Sequence, residues 1–232
     1  MNVSSFQPNE MTSTKKGESR LDTLHTLANY IDLQVIRTES SSLVDQTLEL
    51  YQNYNVSTRL INAGSHQIEH PTQALLDILT ILEHCEKNQR NLGEMKFLIV
   101  GDIERGRAAK SFLQIIKQYG ATKIDICEHS NQTENLSSNQ HKFREFSSQA
   151  DYIYMTRVQN EYGGDPSAQY VLDQNILDSM NQECGVLHPL PRREELPILV
   201  DQDPRALYWR QEEIGFLSRM ILAANLLEIN LI

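Results

Sequence analysis

From residue 20 to the C-terminus, short apolar runs of strand character alternate with longer runs of helical spacing, and this restricts the fold more than any other feature. "RLDTLHTLANYI" puts Leu21, Leu24, His25 and Ala28 on one helical face, "LQVIR" reads as a strand, "SLVDQTLELYQNY" as a helix and "TRLINA" as a strand. "PTQALLDILTILEHC" is a long helix with Leu75, Leu76, Leu79 and Leu82 at helical spacing. "KFLIVGD" reads as a buried strand, "GRAAKSFLQIIKQYG" as a helix closed by Gly120, and "KIDIC", "DYIYMTR" and "GVLHPL" as strands. "GFLSRMILAANLLEI" supplies a terminal helix. Such alternation predicts an α/β fold of two parallel-sheet βαβ subdomains joined by the long helix. Ligands of such sheets bind beyond the carboxyl ends of the strands, so the residues there carry the functional information.

A hydrophobic content of 40% over 232 residues is enough for a real core. No apolar run is long enough for a membrane span, and "MNVSSFQPNEMTSTKKGESR" has no signal-peptide core. The three scattered cysteines, Cys85, Cys127 and Cys184, read as buried free thiols of a cytoplasmic protein. A net charge of −10 without a basic block speaks against nucleic acid, and any anionic ligand needs a local cationic cluster. "HSNQTENLSSNQ", residues 129–140, reads as a surface loop.

The strand ends supply such cations. Arg37 follows "LQVI", Arg107 follows "LIVGDIERG", Arg157 and then Gln159 follow "YIYMT", and His188 and Arg192 follow "GVL". One such arginine is ordinarily a solvated side chain. Their recurrence at successive strand ends fits a site for a dicarboxylate or phosphate, which guanidinium groups grip bidentately. "GDIERGR" lacks the G-x-G-x-x-G spacing, so no nucleotide cofactor is expected.

At "IEHPTQ", Pro71 suits a first helical position and His70 the N-cap, where the helix field disfavours imidazolium. A neutral His70 could donate to a carbonyl oxygen, with Gln73 one turn further on; a plain loop histidine fits the motif equally well. "HPLPR" is either a rigid proline turn or, with a cis bond at Leu190–Pro191, a loop that turns backbone carbonyls towards an amine or amide.

Together, "HPTQALLD", "VGDIERGRAAKS", "YMTRVQNE", "LHPLPRREE" and "ALYWRQEEIGFLSRMILAANLL" closely resemble the catalytic chains of the aspartate carbamoyltransferase family, in order and spacing. "STKKGESRLDTLHTL" resembles that family's mobile lysine loop and the helix after it. The resemblance implies transfer of a carbamoyl group from carbamoyl phosphate to the amine of aspartate, in pyrimidine biosynthesis, without metal or cofactor. It implies that Arg37, His70 and Gln73 hold carbamoyl phosphate, with Arg37 and His70 polarising its carbonyl. Pro189 and Leu190 would take the carbamoyl amine through their backbone, and Arg107, Arg157 and Gln159 would bind the aspartate carboxylates. Lys16 would reach into a neighbouring subunit's site, which implies a trimer.

Departures from the family concern the phosphate. Its Ser-Thr-Arg-Thr loop is not found, and residues 1–6, "MNVSSF", resemble its second strand, so the first subdomain is expected to be truncated. "VSTRL", Val56 to Leu60, imitates the loop but opens a strand, which offers no cradle of free N–H groups. Thr38 and Glu39 stand where the family has His-Pro, Thr12 where it has serine, "GSHQIE" where it has an acidic and glycine pair, and Tyr162 where it has a basic residue. The expected domains are 1–80, completed by 213–232, for carbamoyl phosphate and 81–212 for aspartate. Two functions follow: a carbamoyltransferase with a compromised phosphate site, or an inactive subunit that binds aspartate or forms mixed trimers with full-length catalytic chains.

Overall fold

The computed structural model describes residues 2–6, 17–66, 68–129, 136–158 and 170–230, which form two units: Met1–His66 with Ile221–Ile232, and Gln67–Met220.

In the first unit, α1 (Arg20–Ala28) is capped by Ser19, whose side chain accepts from the Asp22 N–H. It precedes β1 (Leu33–Thr38), α2 (Leu43–Asn53) and β2 (Arg59–Ser65). The strands pair in parallel from Leu33↔Arg59 to Ile36↔Asn62, and the register then shifts before Thr38↔Ser65. Arg37 falls on this irregularity, the kind of bulge that re-aims a side chain. Along β1, Gln34 and Ile36 are buried while Val35 and Arg37 are exposed. Buried Gln34 is satisfied locally: its Nε2 donates to Leu24 O at 2.9 Å and its Oε1 accepts from the Tyr51 hydroxyl at 2.5 Å.

Of the strand expected over residues 1–6, the described part, 2–6, does not form. Residues 2–6 take no strand pairing, and Val3 and Phe6 are exposed. Their spacing of three is not the alternation that seats a strand on a core.

The second unit holds α3 (Pro71–Lys87), β3 (Lys96–Gly101), α4 (Arg107–Gln118), β4 (Lys123–Glu128), α5 (Leu136–Ser147), β5 (Tyr152–Met155), α6 (Gln174–Ser179) and β6 (Gly185–Leu187). The last helix, α7 (Tyr208–Leu226), begins here, and the division between units falls within it. The parallel sheet has the order β4-β3-β5-β6, so successive connections leave β3 on opposite sides and make its carboxyl end a switch point.

Period-2 alternation divides the core. Leu98, Val100, Ile153, Met155 and Val186 lie in one apolar cluster, and Phe97, Ile99, Tyr152, Tyr154 and Leu187 in the other. On the second face Phe112 of α4 stacks on Tyr154, with centroids 3.9 Å apart and 9° between planes. All three cysteines are free and buried, as expected. No helix among the described residues is long and apolar enough to cross a membrane.

Two helices escape the apolar pattern. The expected loop over 129–140 is helical from Leu136, and among its described side chains α5 buries Asn139, Phe143 and Ser147, a stripe with little apolar signal. α6 is short and owes its start to Asp173, whose Oδ1 accepts from Ile176 N at 2.9 Å. In α3 the fully buried face is Leu76, Ile78, Ile81 and Cys85, while Leu75, Leu79 and Leu82 are only half-buried.

Gly101 ends β3 at φ +124°, where an added Cβ would lie 2.3 Å from both the carbonyl and the hydroxyl oxygen of Thr156. Both the left-handed backbone and the overlap oppose a side chain. Gly101→Ala should therefore lower stability by about 3 kcal/mol, read from the urea midpoint at unchanged slope. A midpoint within error of the wild type would show that β3 and β5 can separate here without penalty.

Candidate active site

Among the described residues of the second unit, the expected ones stand at a helix start, just after a strand or in the loop after β6. Arg107 is the first residue of α4, after the N-cap Gly106. Gly106 is required there, because a Cβ would meet Asp102 O at 2.4 Å. The first turn of α4 carries no acidic residue. Arg157 follows β5 and is half-buried, with Nη1 3.4 Å from Val158 O.

His70 is the N-cap of α3, with Pro71 opening the helix as expected, but its side chain makes no capping bond. Its backbone N–H donates to Ser111 Oγ of α4 at 2.9 Å, which ties the starts of α3 and α4 together. The Thr72 hydroxyl lies 3.4 Å from His70 Nδ1. Gln73 is buried, and its Nε2 donates to Asp77 Oδ1 at 2.9 Å.

The peptide Leu190–Pro191 is cis, the geometry that the "HPLPR" reading allowed. Leu190 has φ 42°, and its N–H donates to His188 Nδ1 at 2.8 Å. Accepting at Nδ1 leaves the proton on Nε2, which is 3.1 Å from Glu195 Oε1. Burial pushes the Glu195 carboxyl up, but His188 and the backbone N–H groups of Arg193 and Glu195 outweigh it and hold the group below the usual range.

Arg192 does not join these groups. Both its terminal nitrogens donate to the Asp201 carboxylate, and the guanidinium lies 5.8 Å from the Tyr208 ring and 5.6 Å from the Trp209 ring. Asp201 sits nine residues on, so the arginine reads as a strand-end cation in the sequence although an internal partner takes it up.

In the first unit Arg37 is exposed. The segment that imitates a phosphate loop is structural: the buried Thr58 hydroxyl lies 2.7 Å from Ala28 O and 2.9 Å from Ile31 O. Arg59 opens β2, with Nε 3.3 Å from Leu226 O and an exposed ion pair to Glu228. Lys16, Gln159, Thr12 and Tyr162 lie outside the described residues.

Asp77 and Gln211 were not singled out in the sequence, yet both are fully buried and bonded to expected site residues. The Gln211 Nε2 donates to Asp77 Oδ1 at 2.5 Å, and its Oε1 accepts from His188 N at 3.0 Å. Tyr154 donates its hydroxyl to Asp77 Oδ2 at 2.8 Å. An aspartate one helical turn after Gln73, within an apolar helix, was the available signal.

Comparison with known proteins agrees with this architecture. Residues 1–83 match the carbamoyl-P binding domain of the aspartate/ornithine carbamoyltransferases, and residues 93–226 match their Asp/Orn binding domain. The chain belongs to the aspartate/ornithine carbamoyltransferase family.

Similar proteins include aspartate carbamoyltransferases. The aspartate carbamoyltransferase catalytic subunit of Korarchaeum cryptofilum is 34% identical over 240 residues, covering 97% of this chain and 78% of the relative. Aspartate carbamoyltransferase 2, chloroplastic, of Pisum sativum is 32% identical over 237 residues, covering 94% of this chain and 59% of the relative. Aspartate transcarbamoylase from Trypanosoma cruzi, solved with carbamoyl aspartate and phosphate, superposes at a TM-score of 0.71 with 28% identity, covering 92% of this chain and 71% of that one. The chain spans 58% to 63% of the length of its plant relatives from pea and rice.

Proposed function

We propose that the chain is built for carbamoyl transfer from carbamoyl phosphate to aspartate. The observation that carries this reading is the first turn of α4, where Arg107 joins an acid-free helix start beside the β3 switch point. A guanidinium and a helix N-terminus each favour an anion, so a carboxylate is the ligand that this position suits. Arg107, Arg157 and Gln159 bind the carboxylates of aspartate. Arg37, His70 and Gln73, with the backbone at Pro189 and Leu190, hold carbamoyl phosphate. The domains are 1–80 with 213–232 for carbamoyl phosphate and 81–212 for aspartate, and Lys16 enters the site of a neighbour in a trimer.

In the reaction the unprotonated amine of aspartate attacks the carbamoyl carbon. The new C–N bond forms, the C–O bond to phosphate breaks, and the amine proton leaves with the phosphate. Arg37 and an Nε2–H of His70 stabilise charge on the carbonyl oxygen, while carbonyl oxygens of Gln73, Pro189 and Leu190 accept from the carbamoyl NH2.

A second reading is favoured by one observation. The Ser57-Thr58-Arg59 segment spends its buried hydroxyl on backbone carbonyls, which supports a compromised phosphate grip. The chain is then a subunit that binds aspartate and assembles with full-length catalytic chains. The test is carbamoyl-aspartate formation by the purified chain, with Arg157→Ala beside it. Turnover lost in the variant supports the enzyme; turnover only after a full-length catalytic chain is added supports the mixed assembly. Equal product from wild type and variant would overturn the assignment of Arg157.

A further inference from the structure

The buried polar cluster behind the expected carbamoyl-nitrogen contacts has a definite hydrogen-bond direction. Asp77 Oδ1 receives the side-chain amides of Gln73 and Gln211, and Oδ2 receives the Tyr154 hydroxyl. An ionised carboxylate only accepts, so both glutamines must present their NH2 ends to it. For Gln211 a second constraint agrees, since its other end accepts from the His188 N–H at 3.0 Å. The same orientation makes the Gln73 carbonyl oxygen the end that can serve a ligand. Three elements are thereby fixed on one group: the first turn of α3, the end of β5 and, through α7, the residue that opens the cis-proline loop.

We propose that Asp77 is a positioning residue that sets the polarity of the carbamoyl-nitrogen pocket, orienting Gln73 as an acceptor and anchoring the His188–Pro191 loop through Gln211. The ligand in this inference rests on the carbamoyl-phosphate reading above; the device itself rests on the hydrogen bonds. Asp77 never needs to touch substrate. Its effect is to make the Gln73 amide present its oxygen where an NH2 group must be recognised, which discriminates against ligands without that group.

The device is sensitive to the protonation of Asp77. Burial pushes its carboxyl up to about 7, against the hydrogen bonds from Tyr154, Gln73 and Gln211 and the positive charge of Arg219. Of the groups acting on it, Gln73 lies on its own helix, Tyr154 on β5, and Gln211 and Arg219 on α7. Protonation removes the charge that strengthens these hydrogen bonds and adds a donor to the group, so the bonds from both amides weaken and their surroundings change.

Two measurements test the inference. In the ligand-free wild-type chain, the side-chain NH2 resonances of Gln73 and Gln211 should titrate together near pH 7, and Tyr154→Phe, which removes one donor, should move that midpoint upward. In Asp77→Asn the titration should vanish. Binding of phosphonoacetamide should weaken about tenfold or more in that variant while binding of methylphosphonate, which lacks the amide, changes less than about twofold. Amide signals indifferent to pH, or an equal loss for both ligands, would overturn the positioning role. Titrating amides in a chain that binds neither phosphonate would support the role of Asp77 and sink the carbamoyl-phosphate reading instead.

Discussion

Arg107→Ala should weaken aspartate binding about 100-fold, measured by calorimetry, while shifting the unfolding free energy by less than about 1 kcal/mol. The two halves of this expectation have one origin. At the first position of α4 the helix field does not favour a cation, so that field costs the fold nothing when Arg107 is removed. With a bound carboxylate, guanidinium and helix N–H groups act on the same anion, and removing a bidentate charge-assisted pair removes about 3 kcal/mol of binding. Calorimetry serves whether or not the isolated chain turns over. Unchanged affinity would detach Arg107 from the ligand, and a collapse in stability would make it a structural residue.

Much of this arrangement is legible in the sequence because strand and helix periods differ. The strands of the larger sheet are nearly continuous apolar runs, and Arg107, Arg157 and His188 stand where those runs end. Pro71 after His70 fixes a helix start without any knowledge of what packs on it. What the sequence hides is partnership over distance. Arg192 looks like its neighbours until the return of Asp201 closes on it. Asp77 looks like a polar accident in an apolar helix until Tyr154, 77 residues later, and Gln211, 134 residues later, arrive to satisfy it. α5 hides for a related reason. Its buried stripe includes asparagine and serine, so hydrophobicity cannot report the face that packs.

Glu195→Ala should destabilise the second unit by about 3 kcal/mol, because it strips the acceptor from two donors in a buried place, each worth about 1–3 kcal/mol when left unmade. Those donors are His188 Nε2 at 3.1 Å and the Arg193 N–H at 2.8 Å. His188 cannot turn its ring to escape, since Nδ1 already accepts from Leu190 N. The loss should therefore reach the cis-proline loop, and the Leu190 amide should exchange with solvent faster than in the wild type. Glu195→Gln, which keeps one acceptor oxygen but adds an NH2 group without a destined partner, should fall between the two. The pH dependence has a fixed sign. Burial raises the carboxyl, His188 and two backbone N–H groups outweigh it, and the folded value ends below the ordinary one. Its contribution is thus fully present above the unfolded value of about 4.3, is lost as pH falls through the lower folded value, and should be missing from the acid limb of the alanine variant. Urea unfolding of wild type and both variants between neutral and acidic pH, with Leu190 exchange alongside, measures all of this. An alanine variant as stable as the wild type, with Leu190 still protected, would mean that the loop is held by its prolines and not by the Glu195–His188 pair.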